Sequence, residues 1–282
     1  MADQGSRPRR AKCIGVIAER RYLAQAQPRG MIAALSSIGC TTVVVDPEAS
    51  CHEPGNDSWL QGFDVVVARG RSWAVLSLLS WAEARGVPTL NTRAAIARVH
   101  NKADMAVALK MAGIPTPVTR FGSPRELARR LPRPNFPLIL KPVFGDNGNG
   151  LRVVQDAAEL ESMPWPDSVV LAQKFEPNDG YDVKLYCIGE EVWVVRKPSA
   201  PISKGAANGV AERVQTTAQL RSLARHCGEL FGLELYGVDC IETPTGLVVI
   251  EVNDFPNYSA VPEASEKLAD YVSRKIGQRG LA

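Results

Sequence analysis

The first third of the chain alternates short apolar runs with segments of helical periodicity. The runs rich in β-branched residues span 13–19, 41–46, 63–70 and, more briefly, 87–91. The segments with helical spacing span 29–39 and 72–86, and each ends at a glycine. This alternation predicts a parallel sheet covered by helices.

Charged residues follow the predicted strands of this sheet. They are Glu19, Arg20 and Arg21 after the first strand, Asp46 after the second, and Arg69 and Arg71 after the third. Ligands of such sheets bind beyond the carboxyl ends of the strands. A G-x-G-x-x-G motif does not follow the first strand, so a dinucleotide site is not supported.

The remainder of the chain has a different pattern, with closely spaced strand-like runs. Those runs span 137–143, 150–155, 168–175, 183–189 and 190–196, and a hairpin spans 235–254. Helical segments span 101–113, 123–131, 156–163, 218–232 and 263–277. Closely spaced runs without long helical connections predict an antiparallel sheet.

Composition narrows the class of protein. The chain has 282 residues, a net charge of +3 and no apolar stretch of about 18 residues. We therefore expect a cytoplasmic enzyme that binds neither membranes nor nucleic acid. Six scattered cysteines without a C-x-x-C pair predict reduced, buried thiols, and three scattered histidines argue against a histidine metal site.

The hairpin at 235–254 carries candidate metal ligands. A three-residue loop at its Pro-Thr-Gly tip would place Thr243 opposite Leu247 and Asp239 opposite Glu251. Asn253 would then lie on the same face as Glu251. Two opposed carboxylates repel unless a cation binds them, and oxygen ligands suit Mg²⁺. The alternative is a solvated acidic face.

A strand with a lysine followed by a glycine-rich loop forms a second candidate element. Lys141 follows an apolar run, and Gly145, Gly148 and Gly150 follow it in turn. Glycines let backbone N–H groups approach an anion closely, which is typical of a phosphate-binding loop. The spacing differs from the Walker pattern. The alternative is a flexible hairpin tip.

A third candidate is the polar break after the strand at 168–175. Such a break could present backbone amides to adenine, with a carboxylate from Glu176, Asp179 or Asp182 for the ribose hydroxyls. Lys184 and Arg196 come from the next two strands and could meet phosphate charge. The sequence leaves open whether these two share a face.

Taken together and in this order, the motifs resemble the ATP-grasp superfamily, nearest to RimK-type ligases and inositol-trisphosphate kinases. The matching segments are NKADMAVALKMAGIPTP, LILKPVFGDNGNG, AQKF, DVKLYCIG, GVD and IEVND. The resemblance implies that ATP and Mg²⁺ are bound. The implied nucleotide-binding residues are Lys102, Lys141, Gly145, Gly148, Gly150, Gln173, Lys174, Phe175, Glu176 and Asp182, and the implied metal ligands are Asp239, Glu251 and Asn253.

The fold class implied by the resemblance is α/β and α+β. A tail (1–10) expected to be disordered would precede an N-terminal parallel α/β domain (11–97). Two α+β lobes that clamp ATP would follow, a central lobe (98–175) and a C-terminal lobe (176–282). The family also makes a homodimer plausible.

Two reactions are compatible with this resemblance. RimK-type ligases phosphorylate a carboxylate that an amine then attacks, whereas the inositol kinases phosphorylate a hydroxyl. Lys184, where ligases usually carry Arg, is kinase-like, but Asp146 in the glycine-rich loop would repel a polyphosphate acceptor. We therefore favour an ATP-dependent carboxylate–amine ligase with amino-acid or peptide substrates. A nucleotide-binding regulator without catalysis is a third possibility.

The ligase interpretation assigns roles to further residues. Arg196 begins a cationic segment with Lys197 and Lys204, and we expect Arg196 and Lys184 to stabilise charge during transfer. The residues expected to bind substrate are Arg20, Arg21, Arg69, Arg71 and Asn257.

Overall fold

A computed structural model describes residues 10–145, 149–177, 180–199 and 211–279. The chain divides into two compact units, one from Met1–Arg93 with Asn257–Ala282 and the other from Ala94–Pro256. The predicted tail lies almost wholly outside the described residues.

The first unit contains a four-stranded parallel sheet. Its strands, in the order β2-β1-β3-β4, are β1 (Cys13–Ala18), β2 (Thr41–Val45), β3 (Val65–Arg69) and β4 (Thr89–Leu90). Helices α1 (Arg20–Leu23), α2 (Ala26–Ser37) and α3 (Trp73–Ala84) connect them, and α4 (Arg93–His100) follows β4. All five residues of β3 are buried, which explains why its first four, Val65 to Ala68, are all apolar. The predicted parallel sheet is confirmed.

The last helix, α9 (Ala264–Arg279), belongs to this first unit. It packs against α2, where Nε2 of Gln27 donates to Oγ of Ser265 at 3.0 Å. Lys12 donates through Nζ to the carbonyl oxygen of Ser273 at 2.6 Å. These contacts explain why 257–282 join the first unit, whereas the predicted boundaries placed them in the C-terminal lobe. The division of 98–256 into two lobes stays a prediction.

The second unit contains two antiparallel sheets rather than one. The four-stranded sheet has the order β5-β8-β6-β7, from β5 (Thr119–Gly122), β6 (Leu138–Lys141), β7 (Arg152–Val154) and β8 (Val170–Lys174). The five-stranded sheet has the order β11-β10-β9-β12-β13, from β9 (Tyr181–Ile188), β10 (Glu191–Pro198), β11 (Glu212–Val214), β12 (Leu235–Thr243) and β13 (Gly246–Asp254). Its helices are α5 (Lys102–Met111), α6 (Pro124–Arg130), α7 (Ala157–Ser162) and α8 (Ala218–Phe231).

Each sheet of the second unit has its own core. Leu138 and Leu140 of β6 pack with Leu127 of α6 and Leu160 of α7. One face of the five-stranded sheet packs against α5 and α8, with Met105 and Phe231 among the buried residues. The opposite face of that sheet is therefore the one that can present polar groups. No described helix is long and apolar enough to cross a membrane.

Candidate active site

The strand register confirms that two carboxylates of the hairpin oppose each other. Asp239 of β12 pairs with Glu251 of β13, and Asn253 pairs with Gly237. The predicted pairing of Thr243 with Leu247 is wrong, because Thr243 pairs with Gly246 across a two-residue turn. A β-bulge between Asp239 and Cys240 adds one residue to β13 and cancels this error.

Two lysines neutralise this carboxylate pair. Lys184 of β9 pairs with Asp239 on the side away from Glu251, and its Nζ lies 2.9 Å from Oδ1 of Asp239. Nζ of Lys102, the first residue of α5, lies 3.0 Å from Oε1 of Glu251. Nδ2 of Asn253 donates to Oδ2 of Asp239 at 2.8 Å. Burial alone would lower the pKa of Lys184, but the pairing with Asp239 and the charges of Tyr186 and Glu251 together outweigh burial and raise it.

A third lysine, Lys141, lies at the end of β6 and is held by an amide. Its Nζ donates to Oε1 of Gln173 at 2.5 Å, and Nε2 of Gln173 donates to Oγ1 of Thr119 at 3.1 Å. Burial lowers the pKa of Lys141, while Glu251 and Asp239 oppose that shift and Lys102 adds to it. Gln173 was expected in an adenine hinge, but its side chain instead orients this ammonium.

Lys102 and Lys141 border a pocket with apolar walls. The lining residues are Lys102, Met105, Ala106, Leu109, Thr116, Lys141, Leu171, Gln173 and Ile250. Ile250 is the extra residue of the β13 bulge, and bulges commonly redirect a side chain in this way. An apolar pocket with a few convergent charges can hold a flat ring while its charged end binds phosphate.

The base of the glycine-rich loop is attached to the start of α5. The amide of Lys102 donates to the carbonyl of Val143 at 3.1 Å, and Nζ of Lys102 donates to the carbonyl of Gly145 at 2.5 Å. Gly150 has a φ of +78°, and a Cβ atom there would lie 2.8 Å from Cγ of Pro142, so this position requires glycine. The predicted loop residues Asp146 and Gly148 lie outside the described residues.

The structure corrects the predicted adenine hinge in one respect. The amide of Lys174 donates to the carbonyl of Val118 at 2.8 Å, and the amide of Phe175 donates to the carbonyl of Pro137 at 3.1 Å. These two N–H groups are already used by the fold, because the polar break continues β-type pairing. Glu176 lies 3.3 Å from Nζ of Lys174. Asp179, the alternative ribose ligand, lies outside the described residues.

The register of β9 and β10 separates Arg196 from Lys184. Lys184 pairs with Val195, so Arg196 pairs with Val183, which belongs to the helix-covered core. Arg196 stacks instead on the ring of Tyr181, with 3.8 Å from Cζ to the centroid. Because side chains alternate across a strand, the two predicted catalytic residues lie on opposite faces of the sheet.

Lys197 is the cation of β10 that shares the face of Lys184, and the sequence interpretation did not single it out. It pairs with Asp182, which is two residues before Lys184 and on the same face. Burial raises the pKa of Asp182, and the charge of Lys197 opposes the shift. Oδ1 of Asp182 accepts a hydrogen bond from Ser199 at 2.6 Å. The two-residue turn Gly189–Glu190 fixes how β9 and β10 pair, so it was the signal that could have placed Lys197 on the face of Lys184.

In the first unit, the charged residues after the parallel strands do come together. Oε1 of Glu19 accepts hydrogen bonds from the amides of Arg71 and Ser72, at 2.6 and 2.8 Å. Burial would raise the pKa of Glu19, but these bonds and Arg21 lower it. Arg69 is 7% exposed, lies over the ring of Tyr22 at 4.1 Å, and donates to Oε1 of Gln25 at 3.3 Å.

The other predicted substrate residues already have protein partners. Nε of Arg20 lies 3.1 Å from Oδ2 of Asp46, and Nε of Arg21 lies 2.7 Å from Oε2 of Glu19. Oδ1 of Asn257 accepts a hydrogen bond from the amide of Gln27 at 3.0 Å. Arg69 and Arg71 also have protein partners, but both are less than a tenth exposed, so they are the better-shielded candidates for binding a substrate carboxylate.

The oxygen donors of the hairpin fit a magnesium site that is completed by phosphate. No group of three or more His, Cys, Asp or Glu side chains that could hold a metal occurs among the described residues. The set here is two carboxylates and one amide, and Mg²⁺ commonly takes few protein ligands and completes its shell with water and phosphate oxygens. Oδ1 of Asp239 is buried without an aligned hydrogen bond from any described residue, so its contact is the ion pair with Lys184.

Comparison with known proteins identifies the family. A family model described as the RimK-like ATP-grasp domain matches residues 99–270. A protein named probable alpha-L-glutamate ligase from Methanococcoides burtonii is 30% identical over 281 residues, covering 92% of this chain and 93% of that protein. A protein of the same name from Nitrosococcus oceani is 29% identical over 263 residues, with coverages of 88% and 87%.

A solved structure shows the same fold. The RimK domain ATP-grasp protein from Sphaerobacter thermophilus superimposes with a TM-score of 0.73 at 22% identity, covering 93% of this chain and 99% of that one. The predicted ATP-grasp fold is thereby confirmed, and the relatives' names favour the ligase over the kinase. The chain belongs to the RimK-like ATP-grasp family and is an ATP-dependent carboxylate–amine ligase.

Proposed function

We propose that the enzyme uses ATP with Mg²⁺ to activate a carboxylate as an acylphosphate, which the amino group of an amino acid then attacks. The convergence of Lys102, Lys141 and Lys184 on the pair Asp239 and Glu251 is the observation that carries this proposal. Three ammonium groups against two carboxylates leave one positive charge, which favours a polyanion. The kinase alternative needs a phosphorylated hydroxyl substrate, and no described contact favours one.

In this proposal, different residues of the second unit bind the adenine ring, the phosphates and the metal ion. The pocket formed by Met105, Leu171 and Ile250 holds the adenine ring, and Lys141 and Lys102 bind phosphate oxygens. Asp239, Glu251 and Asn253 would hold Mg²⁺, which when bound neutralises charge on the phosphates.

Negative charge shifts between the phosphoryl group and its leaving groups during the two chemical steps. A carboxylate oxygen of the first substrate bonds to the γ-phosphorus as ADP leaves, and the amine nitrogen then bonds to the acyl carbon as orthophosphate leaves. The amine loses a proton in the second step. Lys184 and Lys197, which share one face, stabilise the negative charge on the transferring group.

For the substrates, we propose an amino acid or peptide that supplies the carboxylate and an amino acid that supplies the amine. Two relatives carry the name alpha-L-glutamate ligase, so glutamate is the first amine substrate to test. Arg69 and Arg71 are the residues of the first unit proposed to bind a substrate carboxylate, because both are shielded from solvent.

Hydroxylamine trapping tests this function. The protein is incubated with ATP, Mg²⁺, hydroxylamine and one candidate carboxylate at a time, and hydroxamate, ADP and orthophosphate are measured. We expect hydroxamate with at least one carboxylate, and none with the Glu251→Gln variant. Phosphoryl transfer to a polyol phosphate without any hydroxamate would support the kinase, and ATP binding without ADP release would support a regulator.

A further inference from the structure

We infer that the carboxylate pair of the active site is closed to a free divalent cation and accepts one only together with a nucleotide. Lys102 and Lys184 close it by occupying the carboxylates themselves. This inference rests on the proposed function, because it assumes that Asp239 and Glu251 are the cation ligands.

The contacts around the two carboxylates are the first part of the argument. Both oxygens of Asp239 are engaged, Oδ1 by Lys184 at 2.9 Å and Oδ2 by Asn253 at 2.8 Å. Glu251 is engaged by Lys102 at 3.0 Å. A cation arriving alone would have to displace both ammonium groups from their carboxylates, and among the described residues Lys102 would keep only an uncharged acceptor, the carbonyl of Gly145.

Burial makes that displacement costly. The side chains of Lys102 and Lys184 are 9% and 13% exposed. An ammonium group that is shielded from water and loses its carboxylate has no opposite charge beside it. This strongly disfavours the displaced state. Lys141 is close enough to influence the same groups, and its pKa is already lowered by burial and by Lys102.

A nucleotide removes this obstacle. Its phosphates supply new acceptors for the ammonium groups of Lys102 and Lys184, and the flexible lysine stems allow the exchange over a few ångströms. The carboxylate oxygens are then released at the moment when phosphate oxygens can share the cation. Binding of nucleotide and cation should therefore be strongly coupled, and the coupling is reciprocal.

Manganese binding measured by electron paramagnetic resonance tests this inference with the full chain. Mn²⁺ replaces Mg²⁺ as a spectroscopic probe, and binding is measured with and without a non-hydrolysable ATP analogue. After subtraction of the Mn²⁺ that the analogue binds without protein, we expect Mn²⁺ to bind at least about tenfold more tightly to the protein with the analogue than to the protein alone. Equal binding in both conditions would overturn the inference and leave the ligase assignment intact. Failure of the analogue to bind with or without Mn²⁺ would instead overturn the proposed function.

Substitutions of the two lysines test whether their positive charges keep free Mn²⁺ away from the carboxylates. Lys102→Met and Lys184→Met should each gain nucleotide-free Mn²⁺ binding, while Lys102→Arg, which keeps the charge beside Glu251, should stay closed. The rise in unfolding temperature on adding MnCl₂ provides a second readout and reports that each variant is folded. If folded Lys102→Met and Lys184→Met bind Mn²⁺ no better than the wild type, the lysines do not close the site.

Discussion

The ammonium of Lys141 is held by the amide of Gln173, with 2.5 Å between Nζ and Oε1. Gln173 is 4% exposed, and its own orientation is set by the hydrogen bond to Thr119. A short chain of hydrogen bonds across β6, β8 and β5 therefore positions Lys141, the lysine proposed to bind phosphate, in the protein without ligand. Such preorganisation reduces the ordering cost of binding.

The first prediction concerns this chain of hydrogen bonds. Gln173→Leu keeps the side-chain volume close to the original but leaves Lys141 without its acceptor, so we expect nucleotide affinity to fall by about tenfold. Isothermal titration calorimetry with an ATP analogue measures this change. The matched control is Thr119→Val, which removes only the outer hydrogen bond and should weaken binding less. Equal effects of the two variants would contradict a direct role for the Lys141–Gln173 contact.

The second prediction is a trade-off between stability and binding at Lys141. Burial lowers its pKa in the folded protein below the ordinary value of 10.5. Between the lowered pKa and 10.5 the unfolded chain binds more protons, so this residue makes stability rise with pH. Below that window the buried charge destabilises the fold, and above it the penalty disappears.

Lys141→Met should therefore have a larger free energy of unfolding than the wild type at pH 7.5, with a difference that shrinks as the pH approaches 10.5. Urea unfolding of the nucleotide-free proteins at several pH values measures this difference. The same variant should bind nucleotide at least about tenfold more weakly. A variant less stable than the wild type at pH 7.5 would show that the ammonium stabilises the empty site.

The third prediction distinguishes the two faces of β10. Lys197 shares a face with Lys184, whereas Arg196 stacks on Tyr181 on the other face. We expect Lys197→Met to lower turnover by at least about tenfold and Arg196→Met to lower it much less. ADP release under saturating ATP measures both, and circular dichroism checks the fold. A larger loss for Arg196→Met would mean that this side chain acts in catalysis despite its position in the sheet.

The sequence predicts which residues have suitable chemistry for the site better than it predicts the faces of the strands on which they lie. Residue chemistry predicted Lys141 and the opposed pair Asp239 and Glu251, because apolar strands rarely end in such groups without a reason. Lys102 was implied only by the family resemblance. The register between β9 and β10 was left open, because the two-residue turn Gly189–Glu190 that sets it was not recognised in the sequence. The face of Arg196 was therefore not predicted.

Some elements were missed for a related reason. Strand β5 (Thr119–Gly122) contains only one large apolar residue, Phe121, and is recognisable only through its pairing with β8. Helix α4 (Arg93–His100) has only two large apolar residues, Ile96 and Val99, and its buried face becomes evident only once these are placed in the core. Tertiary contacts rather than local pattern stabilise both elements.

The fourth prediction concerns the cation ligands. Glu251→Gln and Asn253→Ala should each lower turnover by about 100-fold or more, because each removes or weakens an oxygen ligand at the end of β13. Turnover of the wild type should require added Mg²⁺. Circular dichroism should be unchanged in both variants. Undiminished ADP release in excess EDTA would refute the assignment.

The fifth prediction concerns thiol reactivity. Cys51 is exposed, whereas Cys187 and Cys227 are buried, and burial raises the pKa of each to about 12. At pH 8 only about one in ten thousand of such thiols is ionised. Iodoacetamide should therefore modify Cys51 rapidly and the two buried cysteines only after unfolding. Mass spectrometry of peptides from native and urea-treated protein measures the order, and rapid native labelling of Cys227 would contradict the packing of α8.

The bulge in β13 lets the two ends of the hairpin pair in different registers. Between Asp239 and the turn, the strands pair in one register; beyond the bulge they pair in another, and Ile250 absorbs the difference. A chain that gained one residue in the turn and lost Ile250 would still align Asp239 with Glu251. The tip of the hairpin can thus change in length over evolutionary time without disturbing the carboxylates, provided that the apolar contact of Ile250 with the pocket is supplied by another side chain.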